Sequence, residues 1–300
     1  MKYEVEDNNK RDNANNLNLN EIISGKISYD GDVDTYKIKL REGHVIFEFN
    51  IPSGKNYRIR VFKEGELYNP LTEFVSTDTA ISNRTCEADV GANDVGFYYV
   101  CISFNPTNTT YSDTQYYTLK VIYSELSLLN YNQKYINNDT CIINGGCTAC
   151  CIADIASYYE GTAVTLEDLK ADGVYTQNNA SVNWSKISYF HINAPITPNN
   201  LYSYVKNEIN CGHPVLLHYT CSFAPNDGHW VVAYKYINNC TSDSDIYVCD
   251  PSFTNSGTDI NYTGNPPFNQ NRYNNGITIS EAKADNSIET LTEVRSTSPN

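Results

Sequence analysis

The chain is short of positive charge. Lys and Arg number 21 against 35 Asp and Glu, a net charge of −14 over 300 residues. A surface this acidic repels phosphate backbones, so nucleic acid is not an expected partner. Long apolar runs are missing too. None approaches the roughly 20 residues that span a bilayer, and no transmembrane segment is expected. The opening residues, Met1-Lys2-Tyr3-Glu4-Val5-Glu6-Asp7, lack the apolar core of a signal peptide. Methionine occurs once and tryptophan twice, against 25 tyrosines. This Asn-, Tyr- and Thr-rich composition favours a secreted or cell-surface protein without its leader; the alternative is a cytoplasmic one.

Ten cysteines in 300 residues fall below the density of a disulfide-stapled mini-scaffold. They are Cys86, Cys101, Cys141, Cys147, Cys150, Cys151, Cys211, Cys221, Cys240 and Cys249. If Cys147 serves as a thiol in chemistry, nine remain. At least one more is then free or paired outside the chain. Cys86 and Cys101 flank an expected hairpin, where a bridge is one option. Geometry, not spacing, decides such a pairing.

The length suffices for one large or two ordinary domains, and the chain has two grammars. Residues 1–17 are polar and Asn-rich, which predicts a flexible lead-in. From 18 to 124 short alternating segments are separated by turn residues. Examples are Ile27–Tyr29, Thr35–Leu40, Val45–Asn50, Tyr57–Lys63, Gly96–Phe104 and Tyr116–Tyr123. This spacing predicts an all-β sandwich. Gly25-Lys26-Ile27, then Asp30-Gly31-Asp32-Val33-Asp34-Thr35-Tyr36-Lys37-Ile38 and Leu40-Arg41-Glu42-Gly43, resembles the bacterial pre-peptidase C-terminal domain. The resemblance implies a jelly-roll-like sandwich of the kind attached to secreted peptidases, with a possible extracellular ligand. That domain usually follows its catalytic unit; here it would come first. Asp30, Asp32 and Asp34 are candidate Ca²⁺ ligands, since that ion takes several carboxylate oxygens. The plainer reading is a solvated acidic turn.

From 125 to 300 the pattern changes. Ile152, Ile155, Ala156 and Tyr159 recur at helical spacing, and Gly161 ends the run. Thr165-Leu166-Glu167-Asp168 reads as a capping box opening a second helix. Thr197-Pro198 is expected to start a third, with Leu201, Tyr204, Val205 and Ile209 on one face. Strands follow at Pro214–Tyr219, His229–Ile237 and Ile246–Cys249, an α+β layout. The tail from Ile277 has a short helical stretch and a Ser/Thr-rich end with no assigned role.

Within this half, Cys147 stands where a loop becomes a helix, after Gly145-Gly146. A thiol there feels the positive end of the helix dipole, which favours the nucleophilic thiolate. Cysteine catalysis also needs a base, a group that holds the base, and donors for the oxyanion. In order the chain offers Gln133, Cys147, His229 and Asp250. The glutamine lies 14 positions before the cysteine. His229 opens an apolar strand, and Asp250 ends another before Pro251.

These residues resemble the C39 and C39-like peptidases, a papain-like family that includes bacteriocin leader peptidases. The match runs over most of 128–255. It includes Cys151, the Gly212-His213-Pro214-Val215-Leu216-Leu217 stretch, Gly228-His229-Trp230-Val231-Val232 and Asp250-Pro251. Thr148-Ala149 stands where the family often has Gly-Pro or Gly-Ala. The resemblance implies Cys147 as nucleophile, His229 as base and then acid, Asp250 as orienter, and Gln133 with the Cys147 backbone N–H as oxyanion donors. No cofactor is implied for catalysis. The family's leader peptidases cut after Gly-Gly and are usually fused to a transporter, so that specificity does not carry over to a chain with no expected transmembrane segment.

Plainer readings exist for each residue. A free cysteine is usually a small buried apolar group, and Cys147-Thr148-Ala149-Cys150 also fits a redox or zinc pattern. No βαβ unit surrounds it, and no second ligand pair is evident. His213, His218, His191 and His44 are the other imidazoles, with His218 the main competitor. Asp250 before Pro251 also fits an Asx turn, and Gln133 an exposed loop. The expectation is a multidomain protein: an all-β jelly-roll-like sandwich, then an α+β papain-like cysteine peptidase acting on a peptide or protein substrate. The alternatives are acyl or amide transfer by the same residues, or an inactive surface adhesion or binding protein.

Overall fold

The computed structural model describes residues 2–76, 83–105, 112, 114–129, 131, 146–176, 181–222, 228–252, 277–284 and 288–300. The chain is mostly β and divides into two compact units, Met1–Ser124 with 210–212, and 125–209 with 213–300.

In the first unit the strands are β1 (Lys2–Tyr3), β2 (Asn15–Asn16), β3 (Ile23–Gly25), β4 (Val33–Leu40), β5 (Gly43–Asn50), β6 (Tyr57–Lys63), β7 (Thr72–Val75), β8 (Asn83–Val90), β9 (Gly96–Phe104) and β10 (Tyr117–Leu126). One sheet has the order β2-β4-β9-β6-β7; a second aligns β1, β3, β10, β5 and β8. Alternation along each strand turns one set of side chains inward. Tyr36 and Ile38 of β4, Tyr57 and Ile59 of β6, and Val100 and Ile102 of β9 are buried on one side. Phe47 and Phe49 of β5 and Tyr117 and Leu119 of β10 are buried on the other. The sheets meet through aromatic rings. Tyr57 lies 6.4 Å from Phe49 and 6.1 Å from Tyr117, centroid to centroid. This is a β-sandwich.

Three sequence expectations change here. Residues 2–16, read as a polar lead-in, supply β1 and β2, which pair in parallel with β3 and β4. Arg11 lies over Phe62 and Tyr99 at about 5 Å and covers the outer face of a sheet. Ile27–Tyr29 is not a strand. The Glu4 carboxylate takes the Lys26 N–H at 2.6 Å and Asp32 takes that of Ser28 at 2.6 Å, so neither is left for a ladder. Cys86 and Cys101 do not flank a hairpin, since β8 and β9 belong to different sheets, and both are free thiols.

The second unit contains α1 (Cys147–Glu160), α2 (Leu166–Ala171), β11 (Phe190–Ile192), α3 (Leu201–Asn210), β12 (Val215–Tyr219), β13 (His229–Tyr236), β14 (Ile246–Cys249), β15 (Ile277–Thr278), α4 (Ile279–Ala284) and β16 (Leu291–Pro299). The strands β15-β14-β13-β12-β16-β11 pair antiparallel in that order. Helix α1 ends at Gly161, which is left-handed at φ 70° and sends its N–H to Ser157 O. The Thr165–Asp168 capping box is formed in both directions. Helix α3 starts at Leu201 rather than at Thr197-Pro198, since the Asn200 side chain accepts the Ser203 N–H at 3.1 Å. The Ser/Thr-rich end is β16, a strand between β12 and β11. Its small polar residues fit because Thr297 is fully buried and donates to Pro214 O at 2.7 Å. Among the described residues no helix is long and apolar enough to cross a membrane.

Candidate active site

Helix α1 opens at Cys147. Its N-cap is Gly146, whose lack of a side chain leaves the first N–H groups uncapped from that position. From Ala149 to Tyr159 the helix is buried on all sides. At its N-terminal end the first turn reaches the surface, where Cys147 is half-buried. Cys150 and Cys151 are fully buried, and desolvation holds their thiols well above the ordinary value. They are inert neighbours, since only the thiolate reacts.

Strand β13 brings the second group. It follows Gly228, left-handed at φ +68°, where a Cβ would lie 2.4 Å from His218 Nε2 and 2.6 Å from Tyr219 O. Glycine is therefore required at this close approach. The Cys151 thiol donates to Trp230 O at 3.4 Å, which registers α1 on β13. The Trp230 N–H and the His229 side chain both hydrogen-bond to Cys147.

The third group follows β14. Asp250 Oδ1 lies 2.7 Å from His229 Nε2, with both side chains almost wholly buried. With Nε2 committed to Asp250, Nδ1 is the ring nitrogen left for Cys147. The Asx turn expected at Asp250-Pro251 is also formed, by Ser252 N–H donating to Oδ1 at 2.8 Å. The turn and the contact to histidine coexist because a carboxylate oxygen accepts more than one donor.

The electrostatics are those of an ion pair. Burial pushes the Cys147 thiol up, but the hydrogen bond and charge of His229 and the Trp230 N–H bring it below its ordinary value. Burial pushes His229 down, yet its bonds to Asp250 and Cys147 raise it to about 9. Asp250 is likewise opposed by burial and held low by His229 and Ser252. A thiolate, an imidazolium and a carboxylate in line have the chemistry to serve as a nucleophile, an acid and its orienter.

The other histidines stand elsewhere. His218 pairs across the sheet with Trp230, so alternation turns both to the face opposite His229. Its ring stacks on Trp230 at 4.6 Å, and its Nδ1 meets Thr292 Oγ1 at 2.6 Å. His213 pairs with Glu208 and His44 with Asp89, while His191 is exposed on β11. Gln133 lies outside the described residues. Two positions before it, Tyr131 donates its N–H to the buried Asp154 of α1 at 2.8 Å. Sequence reasoning missed the Trp230 N–H, which has no side-chain signature, and Ser252, whose only signal was its place two residues after Asp250.

In the first unit the described carboxylates that converge are Glu4, Glu6 and Asp34, whose oxygens fall within 4.8 Å of one another. Asp32 is buried beside them; Asp30 is exposed on the turn and stands outside the group. Burial first, then Glu4, pushes Asp34 up to about 10.

No family model matches the chain, and no curated protein matches it. The β-sandwich part is similar to solved structures. One is the pre-peptidase C-terminal domain of a collagenase from Bacillus anthracis, 16% identical over 36% of this chain and 93% of that one, TM-score 0.29. Another is the Aeromonas hydrophila PliG, a periplasmic inhibitor of g-type lysozyme, 11% identical over 36% and 93%, TM-score 0.27.

Proposed function

We propose that the second unit is a papain-like cysteine peptidase resembling the C39 group. The observation that carries this reading is a single imidazole, His229, bonded to both Cys147 and Asp250. The Cys147 thiolate attacks the scissile carbonyl carbon. A C–S bond forms and the C=O π pair moves to oxygen, facing the N–H groups at the start of α1 that have no acceptor within the helix. His229 gives its proton to the amine as the C–N bond breaks, leaving a thioester. Water then attacks the thioester while His229 takes its proton, which releases the acid and restores the thiolate. Asp250 stays ionised and keeps Nε2 protonated throughout. Alkylation by iodoacetamide near pH 6 tests the reading. Selective labelling of Cys147, lost in His229→Ala, is expected. Equal reactivity of all the thiols would refute it.

A second reading concerns the first unit, where we propose a structural Ca²⁺. Glu4, Glu6, Asp32 and Asp34 would hold it, in place of the expected Asp30, Asp32 and Asp34. It is favoured by Asp32 Oδ1, a buried oxygen with no hydrogen-bond partner among the described residues, beside the converging carboxylates of Glu4, Glu6 and Asp34. A hard cation with oxygen ligands fits this donor set. Calorimetric titration with Ca²⁺ tests it, and no heat of binding would end the proposal.

A further inference from the structure

We propose that Ser252 is a positioning residue, which pins one oxygen of Asp250 to His229 and withholds part of that carboxylate's charge from the imidazole. The inference deepens the peptidase reading and rests on it for its consequence in catalysis.

The geometry is one-sided. Asp250 Oδ1 accepts from His229 Nε2 at 2.7 Å, from Ser252 N–H at 2.8 Å and from Ser252 Oγ at 2.9 Å. Asp250 Oδ2 is buried and has no partner among the described residues. All the donors fall on one oxygen, so Ser252 selects which oxygen His229 meets. The hydroxyl lies 3.2 Å from Nε2 as well, closing a triangle with the carboxylate and the ring. Without it, Asp250 keeps a turn N–H but loses a donor that competes with the imidazole.

The direction of the effect follows from charge. A hydroxyl donating to a carboxylate spreads its negative charge and weakens its hold on a neighbouring cation. Removing the hydroxyl returns that charge to His229, which then holds its proton more tightly. The ionisable groups that face the imidazole are Cys147 from α1 and Asp250 after β14. Behind them stand Asp154, Cys150 and Cys151 of α1 and Cys249 of β14, the thiols kept neutral by burial. None of these donates to Asp250.

The test is the titration of His229 in the free protein, read by NMR with ¹⁵N-labelled histidine. The chain has 5 histidines, and the signal missing in His229→Gln assigns this one. Ser252→Ala and Ser252→Val should move the midpoint up by about half a pH unit or more, roughly threefold in proton affinity. Ser252→Thr, the same shape as Val with the hydroxyl kept, should leave it within about 0.2 units. An unmoved or lowered midpoint in Ala and Val, or a Thr variant that shifts with them, overturns the proposal. The measurement needs no turnover. Loss of selective Cys147 alkylation would refute the peptidase reading, and a fixed midpoint would refute Ser252 alone.

Discussion

His229 and Asp250 meet at 2.7 Å with both side chains nearly sealed from water. A buried charge of this kind persists because each partner supplies what the solvent no longer can. The proposed mechanism makes this pair govern the reactivity of Cys147, and its burial ties it to the stability of its unit.

Replacing His229 by Ala removes the cation beside the thiol. Cys147 should return towards the ordinary thiol range, and its alkylation rate at pH 6 should fall by about tenfold or more. The rate of iodoacetamide incorporation, mapped by peptide mass, measures this.

Asp250→Asn keeps the shape and removes the charge. Nε2 would no longer be held protonated, so turnover of a peptide substrate should drop at least about a hundredfold. The folded state should persist, because the turn N–H of Ser252 still finds an acceptor. Circular dichroism beside the rate assay separates the two effects, and an unchanged rate would remove Asp250 from the mechanism.

The pH dependence has a defined sign. His229 is raised to about 9 from an ordinary 6.5. Its stabilising contribution is complete below about 6.5 and disappears as pH rises through about 9. Asp250 is lowered, so its contribution is complete above the ordinary carboxylate range and is lost as pH falls through its folded value. Thermal melts of the wild type against Asp250→Asn should differ most between about pH 5 and 6.5 and converge above 9. Activity should follow a bell, with the thiolate on its acid limb and the imidazolium on its alkaline limb.

Gly228→Ala should lower stability by about 1–3 kcal/mol from the left-handed backbone alone. The added Cβ meets the Tyr219 carbonyl, which cannot rotate away. Melting temperature reads the first effect, and loss of Cys147 labelling reads the displacement of His229.

Calcium at a concentration about a hundred times its Kd should stabilise the first unit by about 2.7 kcal/mol. A Glu4→Gln, Asp34→Asn double variant should lose that increment while Cys147 keeps its selective labelling. A melt indifferent to Ca²⁺ and EGTA would count against the ion.

Local signals were legible where chemistry and conformation lie within a few residues. Gly161 as a helix stop, Thr165 with Asp168 as a cap, and the alternation of β6 and β9 all sit within one turn or one strand. The start of α3 was misplaced because Asn200 is a better cap than Thr197-Pro198 is an opener. The strand β16 was illegible because a Ser/Thr-rich segment becomes a strand only when β11 and β12 stand on either side. The same holds for β1 and β2, short polar segments ordered by their neighbours.

The sequence by itself determined which residue types could perform the chemistry and their order along the chain: Cys147 at a helix start, His229 at a strand start, Asp250 at a strand end. Tertiary structure alone decided which imidazole meets the thiol. Strand alternation sends His229 towards α1 and His218 to the opposite face, a difference set by register across β12 and β13. It also decided that Glu4 and Glu6 join Asp34, residues separated by about thirty positions. Proximity across that distance is a property of packing, which no local pattern encodes.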